Sequence, residues 1–407
     1  METNDMPLEG IRVIDLSTYA AAPVCCRALA EFGADVIKVE SCLGDVYRYF
    51  GLLLKSPVQE DENPIFEVDN AFKRGICLDL KKPEGQEIIH RLLAVSDVFV
   101  TNLRNGSLQN LRLTYEELAP RYPKLVYGYI NGYGNKGKNA DKPGFDLTAY
   151  WARGGVMGQM GEPDAPPPTA WAGFGDHPTG LFLAGGILAA LLGRTQTGRG
   201  EKVEVALYHA AIWNMGLNIT ACQYQEAGIP KFSRKDPVNP LANPYKCRDD
   251  KWLCLAIIEH DRYWPIFCKT IGREDLIDDK RFNSVVAAQD NSAQLVSILD
   301  DAIAKRDRDE WVKIWGEADI TFEIIQSFSD ILADEQAHSN NFIMEVDYKN
   351  GNQGFLPTMT IQLKRSGKPG FKHAPLHGEH TKQVLAELGY KTDEIDAFIR
   401  KNIVRAS

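Results

Sequence analysis

Between Ile11 and Leu207 the chain repeats one pattern: a short, mostly apolar run, a helix-forming stretch, then another such run. The runs are Ile11–Leu16 (IRVIDL), Ala34–Glu40 (ADVIKVE), Gly75–Leu80 (GICLDL), Asp97–Thr101 (DVFVT), Lys124–Gly132 and Lys202–Leu207. Short runs of this kind, rich in β-branched residues, suit strands covered on both faces. Strands joined through helices pair in parallel, because the helix carries the chain back to the starting edge. The pattern predicts an α/β fold on a doubly wound parallel sheet. Ser17-Thr18 and Pro23 open the first helix, which Gly33 ends, and Pro83 stands in the first turn of another.

A sheet of this kind can hold a dinucleotide, and the first turn argues against one here. Ser17-Thr18-Tyr19-Ala20-Ala21-Ala22-Pro23 lacks the Gly-x-Gly-x-x-Gly that lets a pyrophosphate approach a helix N-terminus. Ligands of open α/β sheets sit at the carboxyl ends of the strands. Lys81, Asn102 and Arg104 lie at such ends, and two of them are cations in a chain of net charge −9. They suit a phosphorylated small molecule, although solvated surface charge explains any one of them equally well.

Trp171-Ala172-Gly173-Phe174-Gly175-Asp176-His177-Pro178-Thr179-Gly180 is the other constraining stretch. Two glycines allow close backbone approach, and a single carboxylate follows. Pro178 then leads into an apolar run that ends at Gly193 and reads as a buried helix. Asp176 therefore stands at or just before a helix N-terminus. Either it is an ordinary N-cap, for which Asp is among the favoured residues, or it is a catalytic carboxylate. Asp146 is a second carboxylate at a helix start; it caps its own helix or faces Asp176.

The remaining pattern is less regular. Gly44–Asn70 reads as a surface excursion, Glu162–Thr169 as an extended proline-rich linker, and Tyr208–Ala227 as one long helix. The texture changes near Gly228. Ile229–Pro244 reads as a linker, Lys251–Ile258 as a strand, and His260–Ile271 and Ser292–Glu317 as helices of a smaller α+β unit. Strands at Asp319–Ile325 and Phe355–Leu363, a short helix at Asp330–Ala337, and terminal helices at Glu379–Leu388 and Thr392–Lys401 complete the chain.

The 46 Lys and Arg against 55 Asp and Glu argue against nucleic acid as the main partner. Met1–Gly10 is polar and acidic, without the apolar core of a secretion signal. Pro178–Gly193, the longest uncharged apolar segment, is too short to span a bilayer, so no membrane partner is expected. The eight cysteines show no Cys-x-x-Cys or zinc-type spacing and read as reduced thiols of a cytoplasmic protein. His373, His377 and His380 share a Gly- and Pro-containing loop with no helix to align them, so no metal is expected.

PLEGIRVIDLSTYAAAP, EFGADVIKVES, KRGICLDLKKPEG, DVFVTNLRNGSL, PKLVYGYINGYG and RTQTGRGEKVEVAL occur in this order, with Gly175-Asp176 in the expected place. Together they resemble the family III CoA-transferases (the formyl-CoA and carnitine-CoA transferase family) over almost the whole chain. PGFDLTAYWARGGVMG and GFGDHPTGLFLAGG are similar to the 2-hydroxyisocaproate and cinnamoyl-CoA:phenyllactate CoA-transferase subgroup.

The resemblance implies an enzyme that moves CoA from an acyl-CoA thioester to a carboxylic acid. The acid would be a 2-hydroxy acid such as 2-hydroxyisocaproate or phenyllactate, within amino-acid fermentation. It implies Asp176 as the nucleophile, with a mixed anhydride and an aspartyl-CoA thioester as intermediates. CoA is the co-substrate, and no other cofactor is implied. Carried over by position, the CoA contacts are Ala21, Leu78, Lys81, Asn102, Leu103 and Arg104. Asp146, Gly175 and His177 would support the substrate and its oxyanions, with backbone N–H groups around Gly175 as donors.

A basic CoA contact of relatives stands here as Asn110 or Leu111. The glycine-rich loop that covers the active site of formyl-CoA transferase has no counterpart, since Pro230–Pro244 is proline-rich. That difference points away from formyl or oxalyl acids and toward bulkier acyl groups. Tyr19, Phe145, Tyr150, Trp151, Trp171 and Phe174 would suit an aryl or a branched aliphatic chain, or simply pack in the core. The implied fold is α/β: a Rossmann-like large domain without a dinucleotide, built from residues 1–228 and 319–407, with a small α+β domain at 229–318. The resemblance also implies that two such chains interlock as a homodimer.

Two other readings stay open from the residues. An acyl-CoA racemase or epimerase of the same fold needs a His before the Asp of a Gly-His-Asp motif; that position is Phe145, which carries no titratable proton. A CoA-binding protein without catalysis would bind CoA and exchange nothing.

Overall fold

The computed structural model describes residues 6–226, 228–364, 366 and 370–407. The chain divides into two compact units: Met1–Gly158, Thr169–Thr220 and Gln336–Ser407 form the first, Gln159–Pro168 and Ala221–Glu335 the second.

In the first unit, β1 (Arg12–Leu16), β2 (Asp35–Glu40), β3 (Arg74–Leu78), β4 (Val98–Thr101), β5 (Val126–Asn131) and β6 (Lys202–Ala206) are the expected strands, with ends shifted by a residue or two. They lie in the order β3-β2-β1-β4-β5-β6 and pair in parallel throughout. A short terminal strand, Val404–Arg405, adds antiparallel to β3 and was not anticipated. The order reverses between β1 and β4, which is where a doubly wound sheet opens a crevice beyond its carboxyl ends.

Among the described residues seven α-helices precede β6: α1 (Ala21–Glu31), α2 (Pro64–Asn70), α3 (Pro83–Ala94), α4 (Asn105–Leu111), α5 (Tyr115–Leu118), α6 (Val156–Gln159) and α7 (Asp176–Thr197). α1 and α7 cover one face of the sheet, where Cys25, Leu29, Leu183 and Ile187 bury against Val13, Val98 and Val126. α3 and the terminal helices Thr381–Glu387 and Thr392–Arg400 cover the other, where Ile88, Leu92, Val384 and Ile395 join Ile14 and Phe99. Gly180 brings α7 against the start of α1, since a Cβ there would overlap the Ala21 carbonyl.

α7 is longer than its apolar core suggested, because Arg194–Thr197 continue it to a left-handed cap at Gly198. Among the described residues it is the one helix long and apolar enough to cross a membrane by length and composition. Here Thr179, Leu183, Ala184 and Ile187 are buried in the core.

The excursion Gly44–Asn70 is more ordered than expected. Asp45 accepts the Tyr47 N–H at 3.0 Å and starts a 3-10 run, Val46–Leu54. Asn63 accepts the Phe66 N–H at 3.3 Å and starts α2, with Pro64 in its first turn. The buried Lys38 ammonium ties Asp45 (2.9 Å) to the Ser17 carbonyl (3.1 Å), so this segment is fastened to the ends of β1 and β2. The helix expected from Tyr208 breaks at Met215 into Leu207–Asn214 and Gly216–Cys222, and Ala227 lies outside the described residues.

In the second unit, Pro244–Lys246, Trp252–Leu255 and Phe322–Ile324 form an antiparallel sheet over a core that includes Trp264, Phe267, Trp311 and Trp315. Phe322–Ile324, from the segment expected to begin the C-terminal return, thus belongs to this sheet. The helix expected over Ser292–Glu317 is two, Ser292–Ile303 and Arg308–Glu317, because Asp307 and Glu310 form a capping box that starts the second. The proline-rich segment is anchored within this unit: Arg234 makes a two-point pair with Asp300 (2.9 and 2.6 Å). The strand expected at Phe355–Leu363 is Gln353–Pro357, and it forms a hairpin with Ile343–Asp347 in the first unit.

All eight cysteines are free thiols. His373, His377 and His380 turn to separate partners, the Glu67 carboxylate, the Ser41 carbonyl and the Gly75 N–H. No group of three or more His, Cys, Asp or Glu stands at metal-binding geometry among the described residues.

Candidate active site

A cavity of about 810 Å³ opens at the strand carboxyl ends of the first unit. Thr18–Ala21 enter it from the loop after β1, Asn102–Asn105 from the loop after β4, and Tyr129–Gly132 from the end of β5. Tyr47, Phe50, Ile65 and Val68 supply an apolar wall, and Phe145, Asp146, Trp171, Asp176 and His177 face it as well.

α7 begins at Asp176, and its N-cap is Gly175, not Asp176. The capping carboxylate comes from elsewhere in the chain. Asp146 Oδ2 accepts the Gly175 N–H at 3.1 Å, and the Asp176 N–H also bonds to Asp146. Asp146 stands at the start of a π-helical turn, Asp146–Ala152. Glycine is required at 175, because a Cβ there would overlap the Asp146 carboxylate and the Tyr150 ring. The Asp176 carboxylate thus caps nothing and accepts no hydrogen bond from the described residues, so the simple capping explanation does not describe it.

Two further groups complete the cluster. His177 Nε2 lies 3.2 Å from Oδ1 of Asp69, a wholly buried residue of α2. The Tyr47 hydroxyl faces Asp69 too. Burial, then repulsion from Asp146 and Asp69, pushes the Asp176 carboxyl up to about 7, against an opposing pull from His177. Burial draws the His177 imidazole down, but Asp69 and Asp176 outweigh it, so the ring holds its proton above the ordinary range. Burial also raises Asp146, and burial together with Asp69 and Asp176 raises the Tyr47 phenol. A carboxylate that titrates near neutrality in a cavity is what covalent or acid–base chemistry requires.

Of the residues expected at the site, Ala21, Asn102, Leu103, Arg104, Asp146, Asp176 and His177 line the cavity, and Gly175 stands directly behind Asp176. Leu78 and Lys81 do not line it: Leu78 is buried in the core of the opposite sheet face, and Lys81 is exposed beyond β3. The Asn102 amide is occupied, accepting the Thr18 N–H at 3.0 Å and donating to the Thr18 carbonyl at 2.7 Å. It clamps the loops after β1 and β4 together. Tyr19, held in this loop at φ 62°, turns its ring edge onto Phe145 at 5.3 Å. Tyr150 and Trp151 are core residues, as packing alone would have them.

The N–H groups of Gly175 and Asp176, expected as oxyanion donors, are engaged by Asp146. The N-terminus of α1 differs: Ala20 and Ala21 line the cavity, no side chain among the described residues caps the helix, and the N–H groups of Ala21 and Ala22 have no intrahelical acceptor. Asp69 and Tyr47 lie in Gly44–Asn70, whose Gly, Pro and mixed charges carry no periodic pattern that marks either residue. Asn63-Pro64, a cap followed by an N1 proline, was the available signal for α2.

Comparison with known proteins gives the family. The family model for CoA-transferase family III matches residues 8–381. An (R)-2-hydroxy-4-methylpentanoate CoA-transferase from Clostridioides difficile is 43% identical, over 98% of this chain and 100% of its own length. A cinnamoyl-CoA:phenyllactate CoA-transferase from Clostridium sporogenes is 39% identical, over 97% of each. Among solved structures, a CAIB/BAIF family protein from Brucella suis superposes with a TM-score of 0.83 at 28% identity, over 94% of this chain and 100% of that one. The chain belongs to CoA-transferase family III.

Proposed function

We propose that this CoA-transferase passes CoA from an acyl-CoA thioester to a 2-hydroxy acid by covalent catalysis on Asp176. The observation that carries the reading is the Asp176 carboxylate itself, unengaged at the start of α7 and facing a cavity with aromatic and aliphatic walls. The 2-hydroxy acids named for the two bacterial relatives support the substrate class.

In the forward direction one Asp176 oxygen attacks the thioester carbonyl carbon. The C–S bond breaks, leaving a mixed anhydride and CoA thiolate. The thiolate attacks the Asp176 carbonyl carbon, expelling the donor acid and forming an aspartyl-CoA thioester. The acceptor carboxylate attacks that thioester to give a second anhydride, and the returning thiolate attacks the acceptor carbonyl. The new acyl-CoA leaves and Asp176 is a carboxylate again, with no net proton or electron exchanged. One thioester replaces another, so no ATP is needed. Each addition places charge on a carbonyl oxygen, and the free N–H groups at the start of α1 are the donors for it.

In this reading the first unit is the Rossmann-like CoA-binding domain. Ala21, Leu103 and Arg104 contact CoA within the cavity while Asn102 fixes the loops. Lys81, exposed beyond β3, can meet only a part of CoA that extends beyond the cavity, and Leu78, buried in the core, does not contact CoA. The enzyme acts as a cytoplasmic homodimer, as the family resemblance implies.

Oxygen-18 in the acceptor carboxylate tests the covalent path. The second anhydride leaves one acceptor oxygen on Asp176, so the peptide holding Asp176 gains the label during turnover. A product acyl-CoA formed with no label on that peptide contradicts the path.

A further inference from the structure

We propose that the His177 imidazole, oriented by Asp69, donates a hydrogen bond to the 2-hydroxyl of the acyl group at Asp176 and thereby sets the preference for 2-hydroxy acids. The inference rests on the reading of Asp176 as nucleophile. His177 follows Asp176 in α7 and lines the same cavity. Its Nε2 lies 3.2 Å from Asp69 Oδ1. Asp69 is wholly buried, and neither of its oxygens finds a hydrogen bond of good geometry, so the pairing with His177 is its main compensation.

That ion pair sets Nε2 beside Asp69 and leaves Nδ1, which no hydrogen bond engages among the described residues. The two charges beside it, Asp69 and Asp176, favour a proton on both ring nitrogens, which makes Nδ1 a donor. The 2-hydroxyl is bonded to the carbon next to the reacting carboxyl carbon, and His177 lines the same cavity as Asp176 and supplies a donor there. The surrounding wall of Phe50, Ile65, Val68 and Phe145 offers that hydroxyl no partner, the Tyr47 hydroxyl faces Asp69, and the Asn102 amide is already taken by Thr18. A site built to hydrogen-bond a substrate hydroxyl rejects the analogue that lacks it far more strongly than a purely apolar pocket could.

The test compares 2-hydroxy-4-methylpentanoate with 4-methylpentanoate as acceptors, using 3-phenylpropanoyl-CoA as donor, in the wild type, His177→Phe and Asp69→Asn. The wild type should prefer the 2-hydroxy acid at least ~10-fold in kcat/KM, and both variants should lose at least ~10-fold of that ratio. Hydroxylamine trapping at Asp176, with the donor alone, runs alongside. A ratio unchanged in variants that still form the Asp176 adduct overturns the inference, as does a wild type with no preference. Absence of the adduct in the wild type instead overturns the nucleophile assignment. His177→Leu, similar in shape and without a donor, is read in place of the phenylalanine variant where that variant does not fold.

Discussion

Asp146 Oδ2 accepts the Gly175 N–H at 3.1 Å, so the helix that carries Asp176 is capped by a residue 29 positions earlier in the chain. This one contact does two things. It relieves Asp176 of the capping role its position would otherwise impose, and it sets a second carboxylate beside the first, whose repulsion adds to burial in holding the proton affinity of Asp176 high.

Asp146→Asn and Asp146→Ala should therefore differ. Asparagine keeps an acceptor for the Gly175 N–H and removes only the charge. Alanine removes the cap, at a cost of about 1–2 kcal/mol, the range for losing a capping side chain. Urea denaturation of the two variants measures the difference, and equal stabilities would show that the contact is not a cap.

The pH dependence of kcat/KM for the acyl-CoA reports the free enzyme. Only ionised Asp176 is a nucleophile, so the rate should climb with pH and level off above about 7. Asp146, Asp69, His177 and Tyr47 are the titratable groups around it. Removing the Asp146 charge in Asp146→Asn should move the acid limb to lower pH. A flat profile from pH 5 to 8 would contradict the assignment.

The same group makes a stability prediction. The folded protein raises Asp176 from 3.8 to about 7, so the fold binds this proton more tightly than the unfolded chain does. Its stabilising contribution is complete below about pH 4 and is lost as the pH rises through 7. Asp176→Asn, neutral at every pH, should melt higher than the wild type at pH 8, by about 1 kcal/mol or more, while losing transfer activity. At pH 4 the two should converge. Identical melting temperatures at pH 8 would show that Asp176 bears no burial penalty.

Gly180→Ala tests the junction of α1 and α7. The added methyl would overlap the Ala21 carbonyl and force the helices apart, costing about 1–3 kcal/mol as overpacking does. Because Ala21 belongs to the N-terminus that faces the cavity, kcat should fall together with stability. A variant of wild-type stability would mean that the two helices do not meet so closely.

The parallel sheet was legible because each of its strands is a short apolar run separated by a helical stretch, and the position of Asp176 at a helix start followed from Gly175 and Pro178. Neither the cap nor the charge pairing was legible. Asp146 meets Gly175, and Asp69 meets His177, only through tertiary placement, and no local spacing encodes either contact. α2 hid behind Gly and Pro residues that usually mark loops, although Pro64 in fact sits at a helical first turn. The break at Met215 and the division before Arg308 show the complementary error, in which continuous helical propensity conceals two helices. Val404–Arg405 is too short for any periodicity and is a strand only because β3 offers it an edge.

The most direct test of Asp176 as the covalent centre is mass spectrometry of the protein incubated with an acyl-CoA and quenched with hydroxylamine. The account predicts an aspartyl hydroxamate on the peptide that contains Asp176, formed only when acyl-CoA is present and missing from Asp176→Ala. An unmodified Asp176 in enzyme that turns over, or a hydroxamate on Asp146 or Asp69 in its place, would contradict it.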